Sequence, residues 1–172
     1  MRCFIGIDLS SSAIKEIERL QNIIEPHFIG KITESNNLHL TLKFLGEIDN
    51  DTLKKVKKKL FLIKFQPFEL YIDKLGVFSK KFVKIVWVKV FNVPLQQLID
   101  NSLADIFEKE WRFMGHITIA RIKNLKNKNS FLELINKTKV NKIVFMIKEF
   151  YLKESILQKE GPVYKVISRY RI

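Results

Sequence analysis

The sequence predicts an α+β protein of two lobes, and two observations carry that prediction. Short apolar or alternating runs are interleaved with segments whose apolar residues recur every three or four positions. In addition, the order strand, helix, then strand bearing His-x-Thr occurs twice, near residues 4, 12 and 39 and again near 86, 95 and 116. One unit falls in each half of a 172-residue chain. That length excludes several independent domains, so residues 1–172 are expected to form one domain of two intertwined lobes.

Taken in order, Cys3 to Ile7 is an apolar run of strand length, and Ser10, Ser11 and Ser12 follow as candidate caps. Ile14, Ile17, Leu20 and Ile24 then take one helical face while Lys15, Glu16, Glu18 and Arg19 take the other, with Pro26 ending the helix. Leu38 to Phe44 alternates strictly, which predicts a strand with leucines on one face and His39, Thr41 and Lys43 on the other, closed by Gly46. Asp49, Asn50 and Asp51 cap a second helix with Leu53, Val56 and Leu60 inward. Lys54, Lys55, Lys57, Lys58 and Lys59 form its outer face, the most basic surface of the chain.

Phe68 to Val77 and Phe82 to Phe91 read as a hairpin. Pro94 suits a first helical turn, and apolar residues from Leu95 to Phe107 extend that helix to about Lys109. His116 to Arg121 is a further apolar strand, Ser130 caps a short helix through Phe131, Leu134 and Ile135, and Lys142 to Leu152 and Tyr164 to Ile172 are β-rich. Trp87, Trp111 and most of the phenylalanines are expected in the core, with His27 at the surface and Cys3 inert in its strand.

Composition narrows the function. Lys and Arg outnumber Asp and Glu by 31 to 18, a net charge of +13, which favours a polyanionic partner, nucleic acid first. A single cysteine excludes an intramolecular disulfide, and one thiol with three histidines offers no zinc-ligand spacing, so no metal or other cofactor is expected. No apolar run approaches the roughly 18 residues of a membrane span. Asp8 interrupts the first apolar run before it reaches signal-peptide length, and a cytoplasmic location is expected.

On a strand, residues i and i+2 share a face, so His39 with Thr41, and His116 with Thr118, each present an imidazole beside a hydroxyl. One such pair means little; two, among only three histidines, point to a site. Displacement at phosphorus needs a base on one side and an acid on the other, and imidazoles with pKa near 6.5 serve as both. The threonine hydroxyls would hold the non-bridging oxygens. By strict alternation Arg121 lies on the opposite face from His116 and Thr118, which gives it a supporting role.

At these residues the chain resembles the two-histidine (2H) phosphoesterase superfamily, and within it the RNA 2′,3′-cyclic phosphodiesterases, also called 2′-5′ RNA ligases. The resemblance runs from Met1–Ile7, through Asn37–Gly46 and Gly115–Arg121, to Leu152–Ser155 with Gly161 and Tyr164. It implies a bilobal pseudo-symmetric fold, each lobe a mostly antiparallel sheet with helices on its outer face and the active-site cleft between lobes. It also implies hydrolysis of a cyclic phosphate at an RNA end to a 2′-phosphomonoester, tRNA fragments among the candidate substrates, by a metal-independent monomer. Some members join or cleave 2′-5′ linkages. By the family pattern His39 is the acid and His116 the base; the residues alone leave that order open. Two departures stand out: the family's usual tryptophan is missing near Ile32 or Thr33, and Gly115 replaces its usual proline, which is expected to loosen the approach to the second strand. Two other readings remain: a 2H phosphoesterase acting on a small cyclic phosphate such as one derived from ADP-ribose, and a non-catalytic RNA-binding module.

Overall fold

The computed structural model describes residues 1–172. Nine strands and four α-helices follow the order β1 (Arg2–Asp8), α1 (Ser11–Ile24), β2 (Phe28–Ile32), β3 (His39–Glu47), α2 (Asn50–Phe61), β4 (Phe68–Val77), β5 (Ile85–Phe91), α3 (Pro94–Ser102), β6 (His116–Leu125), α4 (Lys128–Lys137), β7 (Ile143–Ile147), β8 (Glu149–Gln158) and β9 (Gly161–Arg171). They build two sheets, one ordered β3-β1-β8-β9 and the other β2-β6-β5-β4-β7, antiparallel at every pairing.

The two strand-helix-strand repeats are present and their helices are exchanged. Strands β1 and β3 pair in the four-stranded sheet while α1, which joins them, packs on β6 and β7 of the other. Strands β5 and β6 pair in the five-stranded sheet while α3 packs on β3. Each helix therefore buries its apolar face against the opposite lobe. A single cluster of 37 buried apolar residues, including Ile5, Ile17, Leu40, Ile99, Ile117 and Phe150, runs through both. The lobes do not follow the sequence halves: β8 and β9 complete the first sheet and β2 crosses to the edge of the second.

Local chemistry accounts for the helix limits. Ser10 and Asp49 accept from Ala13 and Thr52 N–H as N-caps of α1 and α2, as expected. Asn127, not Ser130, caps α4. The helix expected to reach Lys109 stops at Ser102, where the backbone turns back on itself, so Trp111 falls in an irregular segment and is 87% exposed rather than core. The stretch read as β-rich over Lys142 to Leu152 divides at Lys148 into β7 and β8, which belong to different sheets. Gly46 lies inside β3 rather than closing it, and Phe82 to Lys84 precede β5 instead of belonging to it. No helix is long and apolar enough to cross a membrane.

Candidate active site

Strands β3 and β6 face each other across a cleft of about 550 Å³ whose walls include His39, Thr41, His116, Thr118 and Arg121. All five residues singled out from the sequence meet there. A second groove of about 580 Å³, along Phe145–Glu149 and Arg171–Ile172, contains neither histidine.

The backbone sets both imidazoles in the same tautomer. Nδ1 of His39 lies 2.7 Å from the Asn37 carbonyl oxygen, and Nδ1 of His116 lies 2.8 Å from that of Met114. A carbonyl oxygen only accepts, so Nδ1 carries the hydrogen in each ring and Nε2 is the nitrogen left for chemistry. Aromatic rings fix the ring planes: Tyr164 meets His39 edge-on at 4.9 Å, and Phe78 meets His116 edge-on at 4.9 Å. The two halves differ at Nε2. His39 Nε2 is 3.0 Å from Thr41 Oγ1. Burial is the main cause holding the His39 pKa below its usual value; the Lys153 ammonium pushes the same way, while the Asn37 carbonyl and Asp8 oppose it. Lys153 and Asp8 are themselves an ion pair, at the strand pairing where Asp8 lies opposite His39.

A β-bulge follows each threonine. Thr41 pairs with Gly6 but Lys43 with Ile5, leaving Leu42 extra; Thr118 pairs with Trp87 but Ala120 with Val86, leaving Ile119 extra. An extra residue inverts the alternation downstream. Both strands consequently show one burial pattern, in which the residue two after each threonine is buried and the residue three after it is exposed. Two expectations change as a result. Lys43 is not on the histidine face: it is 2% exposed and turned inward. Arg121 is not on the opposite face: the bulge returns it to the cleft wall, where its counterpart on β3 is Phe44, 65% exposed.

Inward, Lys43 Nζ donates to Asp100 Oδ1 at 2.6 Å and to the Glu108 carbonyl at 2.7 Å, while Asp100 Oδ2 accepts from Glu110 N–H at 2.9 Å. Burial raises the Asp100 pKa, yet Lys43 and the Glu110 amide outweigh it and hold the carboxyl below the usual carboxylate range. The ion pair thus ties the first His-x-Thr strand to the segment leading into the second. In the other half, α1 supplies the matching tie: Gln21 Nε2 donates to the Thr33 and Ile119 carbonyls.

Glycine is required where strands approach closely. At Gly6 a Cβ would lie 2.9 Å from the Leu40 carbonyl and 3.6 Å from His39 Cδ2. At Gly115 it would lie 2.7 Å from the Val90 carbonyl, and the Gly115 carbonyl accepts from Val90 N–H at 2.8 Å. The approach to His116 is therefore pinned to β5, not loosened. Ile32 and Thr33, where the sequence departs from the expected tryptophan, line the cleft, whose aromatic surface comes from Phe4, Phe44 and Tyr164. None of the α2 lysines lines it. No group of three or more His, Cys, Asp or Glu side chains converges anywhere in the structure.

Residues 7–88 match the family described as LigT like Phosphoesterase. Over 176 aligned residues the chain is 32% identical to the RNA 2′,3′-cyclic phosphodiesterase of Methanocaldococcus jannaschii, covering 99% of this chain and all of that protein. The chain belongs to the LigT-like family of 2H phosphoesterases. Among solved structures, TT0787 of Thermus thermophilus superposes with a TM-score of 0.81 at 22% identity, covering 99% of this chain and 97% of that one. The Escherichia coli LigT complex with 3′-AMP gives 0.76 at 23% identity over 99% and 97%. These likenesses extend the LigT-like fold over both lobes, beyond the residues matched to the family.

Sequence reasoning missed Phe78 beside His116, and Asp100 and Gln21 beneath the motif strands; it named Tyr164 only within the resemblance, with no role beside His39, and it put Lys43 on the histidine face. An i, i+2 pattern along one strand carries no sign of rings arriving from β9 or from the segment after β4.

Proposed function

We propose that the chain hydrolyses the 2′,3′-cyclic phosphate at the 3′ end of RNA to a 2′-phosphomonoester, with His39 and His116 as general acid and base. The single observation that carries this reading is the pair of His-x-Thr units in one cleft, each imidazole with Nδ1 on a backbone carbonyl, which leaves Nε2 as the nitrogen for proton transfer. The name of the M. jannaschii relative supports the choice of substrate.

In the proposed mechanism His116 Nε2 takes a proton from water as the oxygen attacks phosphorus. His39 Nε2 gives its proton to the departing 3′ oxygen, in line with the attack. The His39 pKa, lowered by burial and Lys153, makes its imidazolium a ready donor, and an arriving phosphate, opposite in charge to Lys153, favours that protonated form. Thr41 and Thr118 hydroxyls donate to the non-bridging oxygens, and the Arg121 guanidinium balances the charge that develops there. Joining of 2′-5′ ends uses the same proton traffic with an RNA 5′ hydroxyl in place of water, the 3′ oxygen leaving as before, and cleavage of that linkage is the reverse.

The test is incubation with a short RNA ending in a 2′,3′-cyclic phosphate, with EDTA present and ATP absent, alongside a cyclic phosphate derived from ADP-ribose. Formation of an RNA 2′-phosphate is the expected result. Turnover of the ADP-ribose compound alone would replace RNA as the substrate. RNA binding without turnover of either would make the chain a binding module.

A further inference from the structure

Beyond the histidines the cleft continues along β1 to Arg2, whose positive charge the chemistry at phosphorus does not use. Gly6, opposite Thr41, marks the level of the reacting phosphate. Along the same strand face, Phe4 and then Arg2 follow, and both line the cleft. Four residues of strand separate Arg2 from Gly6, about 13 Å at the usual rise. A mononucleotide with its one phosphate on the histidines cannot place a second phosphate that far away; an oligonucleotide can.

The charges along this stretch are unbalanced. Arg2 and Arg121 are exposed and form no ion pair, whereas Lys31 on the rim is paired with Glu34 at 3.5 Å. Glu47, across the strand pairing from Arg2, is engaged at 3.4 Å by the Met1 amine. Tyr164 lines the same cleft as both guanidinium groups; burial raises its hydroxyl pKa, and the charges of Arg121 and Arg2 oppose that rise. Position is fixed as well as charge: the Met1 amine donates to the Ile48 carbonyl at 2.9 Å and Ile48 N–H donates back at 2.9 Å, which holds the start of β1 on a rigid sheet. Between the levels of Arg2 and the first histidine motif, Phe44 offers an open aromatic face against Phe4, with centroids 6.4 Å apart. A cationic track with an interposed aromatic platform is how proteins hold single-stranded nucleic acid.

We propose that Arg2 forms an upstream phosphate subsite, so that the cleft reads at least three nucleotides of single-stranded RNA, with a base stacked on Phe44 and the backbone passing Arg121 to reach Arg2. This rests on the reading of the cleft as an RNA-end phosphodiesterase.

The experiment measures kcat/KM for a cytidine 2′,3′-cyclic phosphate and for a trinucleotide ending in the same group, in the parent and in Arg2→Ala and Arg2→Lys, at several salt concentrations. The parent is expected to prefer the trinucleotide. Arg2→Ala is expected to reduce that preference about fivefold to tenfold, the loss appearing in KM. The salt dependence of trinucleotide binding should become shallower by about 0.7 in log–log slope. Arg2→Lys should restore much of both, since a point charge still attracts phosphate. Equal loss on both substrates, or no change in the ratio, would overturn the subsite while leaving the catalytic reading intact. Failure of the parent on both substrates would instead refute the underlying function.

Discussion

Replacing Lys43 by Met tests whether the buried tie between the two motif strands holds the fold together. The ammonium and carboxylate of Lys43 and Asp100 are 2.6 Å apart with side chains 1% and 8% exposed, so neither has water to fall back on. Methionine follows the lysine stem but leaves Asp100 with Glu110 N–H as its one donor, and strips the Glu108 carbonyl of its partner. Breaking one side of such a pair costs about 3–5 kcal/mol, a large share of the roughly 5–15 kcal/mol that holds a domain folded. Urea denaturation followed by circular dichroism reads the loss as a lower midpoint. The pH dependence adds a second signature. In the parent the lowered Asp100 pKa contributes stability that is present above the unfolded value and lost as pH falls through the native one. In Lys43→Met the carboxyl is buried without its cation, its pKa rises above the unfolded value, and the sign reverses: stability falls as pH rises through the new native value. The deficit is therefore larger at pH 7 than at pH 4. A loss below about 1 kcal/mol, equal at both pH values, would refute the reasoning.

Other outcomes follow from the same geometry. Gly6→Ala puts a methyl against the Leu40 carbonyl and the His39 ring, so it should cost about 1–3 kcal/mol of stability and lower kcat more than it raises KM; unchanged denaturation and turnover would contradict this. Lys153→Met removes a positive charge near His39 and should raise the His39 pKa, whereas Asp8→Asn should lower it, both read from imidazole ring protons by NMR titration. Because native His39 binds its proton less readily than the unfolded chain, its part in stability is present above about pH 6.5 and lost as pH falls toward the native value. Thr118→Val should reduce kcat/KM by about 10–100-fold with little change in denaturation midpoint, since its hydroxyl makes no hydrogen bond within the protein beyond the cleft it lines.

Much of the fold was legible because burial wrote it into a period. Ile14, Ile17, Leu20 and Ile24 declare α1, and Leu38, Leu40 and Leu42 declare the first motif strand, because each of these faces a core. Strand β2 carries no such mark: of Phe28 to Ile32 only Phe28 is buried, and an edge strand with Gly30 and Lys31 has no alternation to read. The helix exchange between lobes is equally silent, because an apolar stripe names a buried face but not the surface that buries it. At the site, the histidine and threonine pairs were visible as i, i+2 spacing. The bulge after each threonine was not, and it alone decides that Arg121 reaches the cleft and Lys43 the core. Strict alternation failed at the very residues where the chain departs from it.

The most direct test of the two-histidine account is single-turnover cleavage of a cyclic-phosphate RNA end by the parent, His39→Ala and His116→Ala, each first shown to be folded. The account predicts that each substitution slows the chemical step by about 10²–10⁴-fold while RNA binding is retained. A variant that loses either imidazole and still turns over within a few-fold of the parent would contradict it.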